Sequence, residues 1–196
     1  TDGGATGSVF WVVTSSTSVG YDAAQFDGGW TINTDGMDGV YIWEGDCEPI
    51  DNGGGGDTCS EENPNDGTFE NGFNVSSTSA FKTANDLTVA AGENFTLTNI
   101  TASIFANGGI TNVDVVYYDD LGGLPGTVIG SETSVTIDAQ NVIGDNFGFD
   151  VNEIELSVTP FVFSGQAGSE TTYWIELSVT DGGATGSVFW VVTSST

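Results

Sequence analysis

Apolar positions in this chain alternate with polar ones at a period of two, and no helical period lasts for three turns. Val113, Val115 and Tyr117 alternate with Asn112 and Asp114. Ile154 and Leu156 oppose Glu153 and Glu155, and Tyr173, Ile175 and Leu177 oppose Trp174 and Glu176. Segments of this kind predict strands at 87–90, 95–105, 111–118, 127–137, 152–159 and 172–179, each bounded by Gly, Asn, Asp or Pro. Within the second, Phe95 and Leu97 share one parity while Ile100, Ala102 and Ile104 carry the other. A one-residue slip, a β-bulge or bend, is therefore expected around Asn99. The predicted fold class is all-β, an antiparallel β-sandwich that is jelly-roll-like.

Three stretches are apolar on both faces. In 40–44, Val40 and Ile42 alternate with Tyr41 and Trp43; in 7–14, Val9, Trp11 and Val13 alternate with Phe10 and Val12. The third, 188–192, repeats the second, because TDGGATGSVFWVVTSST stands at Thr1–Thr17 and again at Thr180–Thr196 with all 17 positions identical. The second copy begins 179 residues after the first (Thr180 against Thr1). A fixed period marks a tandem array; artificial duplication of a terminal strand is the competing reading. A strand covered on both faces lies inside a sheet or is clamped between a core and a neighbour. Val9, Phe10, Trp11 and Val12, with Val188, Phe189, Trp190 and Val191, are thus candidate inter-repeat or inter-subunit strands that join units by strand addition.

The segment from Cys47 to Cys59, CEPIDNGGGGDTC, has the lowest complexity in the chain. Four consecutive glycines pack no core and read as a flexible linker between repeats at 48–58. On that division, 1–47 holds the C-terminal strands of one repeat. Residues 59–196 hold two-thirds or more of the next and end in the second copy of 1–17. The sandwich would then be cut out of phase from a tandem array, with neither piece closing alone. The two cysteines flanking the glycines predict a disulfide between Cys47 and Cys59; bonds between repeats and free thiols are the other arrangements. A zinc site is a poor alternative, since no further Cys or His completes it.

Charge narrows the function. One residue is basic, Lys82, against 28 acidic ones, with no His and a net charge of −27. Nucleic acid and anionic membranes are excluded as partners, because both need Lys and Arg. Without His the Ser-His-Asp class of catalysis is absent, and no enzyme is expected. Crowded carboxylates suit water of high ionic strength outside the cell. Ca²⁺ is the one cofactor to weigh, with Asp119 and Asp120, Asp35 with Asp38, and Asn63, Asn65 and Asp66 as candidate ligands. None of these matches EF-hand spacing, and Asp and Asn also form turns. Trp30, Trp43 and Trp174 are candidate glycan-stacking residues, set against the commoner role of strand aromatics in a core.

The run Tyr118-Asp119-Asp120-Leu121-Gly122-Gly123-Leu124-Pro125-Gly126 follows a Val-rich strand and precedes Val128-Ile129-Gly130-Ser131-Glu132. It resembles a repeated β-sandwich domain of very large secreted surface proteins of marine Bacteroidota. The Tyr173-Trp174 strand, the Phe189-Trp190 strand and Asp38 to Trp43 with Cys47 are similar to that domain's closing elements. The resemblance implies type IX secretion and assembly into surface adhesins or filaments, grappling-hook filaments being one candidate. The expected partners are identical or near-identical repeats in a homopolymer or bundled filament, with a surface glycan on prey or substratum. The expected location is an extracellular, cell-surface appendage. The alternative function is a carbohydrate-binding module of a secreted protein.

Overall fold

A computed structural model of the chain describes residues 21–34, 36–50, 57–65, 67–183 and 187–194. Val9, Phe10, Trp11, Val12 and Asp35 lie outside the described residues. Fourteen strands occupy the described residues. They are β1 (Ala24–Phe26), β2 (Trp30–Ile32), β3 (Met37–Gly39), β4 (Tyr41–Pro49), β5 (Asp57–Asn63), β6 (Asn71–Asn74) and β7 (Lys82–Val89). The others are β8 (Glu93–Ala106), β9 (Ile110–Asp120), β10 (Pro125–Glu132), β11 (Thr136–Asn146), β12 (Phe149–Ser164), β13 (Thr171–Asp181) and β14 (Phe189–Ser194). One sheet runs β10-β9-β13-β7-β1-β2. The other runs β11-β12-β8-β14-β3, with β4 between β5 and β8, and β6 beside β14. The all-β antiparallel sandwich expected from the alternation is the fold the chain adopts.

Its core lies between the sheets. Val113, Val115, Tyr117, Ile175 and Leu177 face Ile100, Ala102, Ile154, Leu156, Trp43 and Trp190, and all are buried. The outer face of the first sheet is not left to water. There the β1–β2 hairpin places Trp30 and Ile32 against Trp174, Tyr118 and Val116. Trp174, which alternates out of the main core, is therefore fully enclosed as well.

The slip expected near Asn99 is present. Glu44 pairs with Asn99 but Gly45 pairs with Leu97, which leaves Thr98 as the extra residue of a bulge. The register also shifts here on the other flank, where Ser157 pairs with Asn99 and Phe161 with Leu97, so that the extra residues there belong to β12. Gly45 lies so close that a Cβ there would stand 2.0 Å from the Thr96 carbonyl oxygen. The strand expected at 127–137 is two strands. It breaks at Ser134, whose φ of 54° is left-handed and whose N–H is donated to Asp114 Oδ1 at 2.8 Å.

The expected domain division is corrected. Residues 24–49 do not belong to a different domain from 57–194, since β1 to β4 complete the same two sheets. The glycine run links two paired strands: β4 and β5 run antiparallel from Tyr41↔Asn63 to Cys47↔Asp57. A disulfide joins Cys47 to Cys59 across that hairpin. Burial explains the arrangement, because Tyr41 and Trp43 of β4 need both β8 and the opposite sheet to leave water. The described sandwich falls within residues 18–196, which is one 179-residue interval between copies.

Candidate functional site

The second copy of the repeated segment supplies β14, and β14 sits inside the sandwich. Its seat has three walls. Phe189 and Trp190 pair with Phe105 and Ile104 of β8. Phe189 to Val192 pair with Asn74 to Asn71 of β6. Val192, Thr193 and Ser194 pair with Gly39, Asp38 and Met37 of β3.

The chain from β3 to β4 passes between β14 and β8, and Val40 is the crossing point. Its N–H is donated to Val191 O at 2.8 Å, and its carbonyl accepts from Ser103 N at 3.2 Å and from Trp190 Nε1 at 2.9 Å. Alternating side chains of β14 then enter different clusters. Val188 and Trp190 join the main core, where Trp190 meets Trp43 edge-on with ring centroids 5.9 Å apart. Val191 packs with Val40, Phe105 and Val151, and Val192 with Ala23, Met37 and Phe73. The two-sided apolar pattern is thus two-sided burial: Val188, Trp190, Val191 and Val192 are all enclosed, and Phe189 is half-buried.

Three acids interact near the β3–β14 contact, Asp38 and Asp86 buried and Glu61 half-buried. Asp38 is 1% exposed, and neither of its carboxylate oxygens has a hydrogen-bond partner. Burial, with the nearby charges of Asp22 and Glu61, pushes its pKa up to about 8. The backbone N–H of Ala23 acts in the opposite direction. Asp86 on β7 is also 1% exposed and is raised to about 8 by burial, with Glu61 and Asp38 adding to the shift. It accepts from Tyr21 N at 3.0 Å through Oδ2, while its Oδ1 has no partner. Glu61 on β5 is raised to about 7 by burial, although it accepts from Thr88 N at 2.9 Å. Its own burial, with the charges of the same acids, holds the Tyr41 hydroxyl well above its usual range.

Amide groups tie this region to the seat. Asn63 Nδ2 donates to Gly39 O at 2.9 Å, Asp38 O at 3.2 Å and Thr193 Oγ1 at 3.4 Å. Gly39 N donates to Asn85 Oδ1 at 2.8 Å. A side chain at Gly39 would collide, because its Cβ would stand 2.9 Å from the Trp190 ring.

Asp35 and Asp66 lie outside the described residues, and the described acidic candidates fall in two places. Asp119 and Asp120 belong to the β9–β10 turn, where Asp119 accepts from Thr127 N. Asp120 accepts from Gly123 N at 3.0 Å and Trp174 Nε1 at 3.0 Å. Asp38 lies in the buried group near β14. Among the described residues, no group of three or more His, Cys, Asp or Glu side chains is placed to hold a metal ion.

The three tryptophans form no open platform for a sugar, which corrects that expectation. Trp43 and Trp174 are fully enclosed, with Trp43 Nε1 donated to Asp86 O at 3.0 Å, and Trp30 is half-buried against Tyr118. Sequence reasoning missed Glu61, Asp86 and Asn63 as one group. Glu61 and Asn63 stand in the non-alternating stretch DTCSEEN, and Asp86 stands in KTANDLTV, where polar residues outnumber apolar ones, so neither strand signalled a buried acid.

Fold and seat together define a β-sandwich closed by a strand whose sequence also stands at Thr1–Thr17. No protein-family model matches the chain, and no curated protein or solved structure matches it.

Proposed function

We propose that the chain is a structural repeat of an extracellular filament or adhesin, which bears load and attaches through association of like strands and subunits. The observation carrying this reading is that the segment closing the sandwich, Val188 to Thr193, also stands as Val9 to Thr14 just before its first strand. A unit that ends as its predecessor ends is the design of a head-to-tail array.

Two features support an extracellular setting. The Cys47–Cys59 disulfide suits an oxidising compartment. The net charge of −27 suits water rich in screening ions. The resemblance to giant surface proteins of marine Bacteroidota points the same way and brings type IX secretion into the proposal. Lateral association has a candidate surface in the edge strands, since β10 exposes Val128 and Ile129, and β11 exposes Val142 and Ile143. The carbohydrate-binding alternative loses its stacking platform to the burial of Trp43 and Trp174.

The test is negative-stain imaging of a recombinant array of several consecutive 179-residue periods. Filaments with a regular axial spacing are expected. Dispersed, unassociated chains that bind specifically on a glycan array would overturn the reading in favour of the sugar-binding alternative.

A further inference from the structure

One property of the seat goes beyond a role in filaments: the chain carries one seat and two identical segments, of which the second fills it. Every contact made by β14 is made by a residue with a counterpart in the first copy. Phe10, Trp11, Val12, Val13 and Thr14 correspond to Phe189, Trp190, Val191, Val192 and Thr193. The Trp190 hydrogen bond to Val40, the pairing with β3, β6 and β8, and the close approach to Gly39 would all be reproduced.

The route into the seat is also open from the N-terminal side. β14 ends with Ser194 paired to Met37, and the sandwich begins at the same place, with the Ala23 N–H donated to Met37 O at 3.2 Å. Ala23, Met37 and Val192 share one buried cluster. A strand formed by 8–14 would leave the seat at Ser15 and need to reach only Ala23. Neighbouring strands lie ~5 Å apart, and residues 16–22 span up to ~25 Å when extended at ~3.5 Å per residue. From the other side, residues 182–188 link β13 to β14. Connections of such similar length have nearly equal closure entropy, so neither copy is strongly preferred by its tether.

We propose that the β14 seat accepts Ser8–Thr14 in place of Ser187–Thr193, so that the same sandwich closes from either end of its sequence. In a tandem array each unit can then be completed by the strand before it or by its own last strand. Neighbouring units hand strands across their junction without losing a contact. The inference rests on the repeat and the seat and stands whether or not arrays assemble into filaments.

Cysteine trapping in the full chain tests it. Asn74 and Phe189 are paired across β6 and β14, and both are half-buried. N74C with F189C reports occupancy by the C-terminal copy, and N74C with F10C reports occupancy by the N-terminal copy. Cross-links are read by peptide mass spectrometry after non-reducing electrophoresis. Both pairs are expected to cross-link well above a control pair placed on distant strands. Adding Val191→Asp should shift the trap several-fold towards F10C while the chain keeps its strand circular dichroism. Val12→Asp should do the reverse. Cross-linked dimers from the F10C pair would assign the donated strand to a second copy and would equally support acceptance of the segment. The proposal is overturned if the F10C pair stays at control level and Val191→Asp abolishes the fold.

Discussion

Lys82 is the one basic side chain in the chain, and it meets one of the most buried acids. Its Nζ lies 2.9 Å and 3.1 Å from the two carboxylate oxygens of Glu176, which also accepts from the Tyr118 hydroxyl at 2.5 Å. The Glu176 side chain is 3% exposed and that of Lys82 is 42% exposed, so solvent screens only one partner. Lys82→Met keeps the aliphatic stem and removes the charge, leaving a carboxylate buried beside a neutral hydroxyl. A loss of roughly 1–3 kcal/mol is expected, below the value for a fully buried pair. Thermal melts check it, and adding Glu176→Gln should recover most of the loss; an unchanged or lower melting temperature in the double variant would refute the account. Gly39 gives a second prediction at this scale. Gly39→Ala drives a methyl into the Trp190 ring and the Asn85 amide, and about 1–3 kcal/mol of overpacking is expected in denaturant titrations.

The β4–β5 hairpin shows what was legible among the elements. Period-two alternation located β8, β9, β12 and β13, and the parity change in β8 revealed its bulge, because both signals come from burying one face of a strand. The sequence DTCSEEN carries no such alternation. Its strand β5 is held by ladder hydrogen bonds to β4 and by the disulfide, so hydropathy could not reveal it. Four glycines read as a linker for the same reason, although the strands they join are paired. Of the site, the two-sided burial of β14 was legible from Val188 to Val192. The acid group was not, because Asp38, Glu61 and Asp86 come from three strands that only the fold brings together. The hairpin reading predicts that Cys47→Ser with Cys59→Ser destabilises the whole sandwich. The bond closes a short loop, with a sequence separation of 12, so about 3 kcal/mol is expected. Reduction should lower the melting temperature of the parent and leave the double variant unmoved. Gly45→Ala should act on the same hairpin, because its Cβ has no room at the bulge.

Across the whole molecule, the buried acids set how stability depends on pH. Asp38 and Asp86 are raised to about 8 and Glu61 to about 7, chiefly by burial. The groups facing them are Asp22 and the Tyr41 hydroxyl, so no cation in the described residues offsets their ionisation. A folded carboxyl with a raised pKa binds its proton more tightly than the unfolded chain does. Stability therefore falls as pH rises from the unfolded value near 4 to the folded value, and levels off above it. Ordinary carboxylates titrate near pH 4 and change little in charge between about pH 6 and pH 9. Most of the decline across that window belongs to this group. Strong salt isolates it further, since at about 1 M the screening length falls to ~3 Å and exposed charges cease to repel one another. In such a buffer the melting temperature should drop by several degrees from pH 6 to pH 9, at roughly 2–4 °C per kcal/mol for a chain of this size. Asp38→Asn removes a proton-binding site that has no hydrogen-bond partner and supplies amide donors in its place. It should flatten the decline and leave the variant more stable than the parent at pH 9. A parent curve that is level or rising across this window, or a parallel curve for Asp38→Asn, would show that the carboxyls under β14 are ionised and compensated in the folded chain.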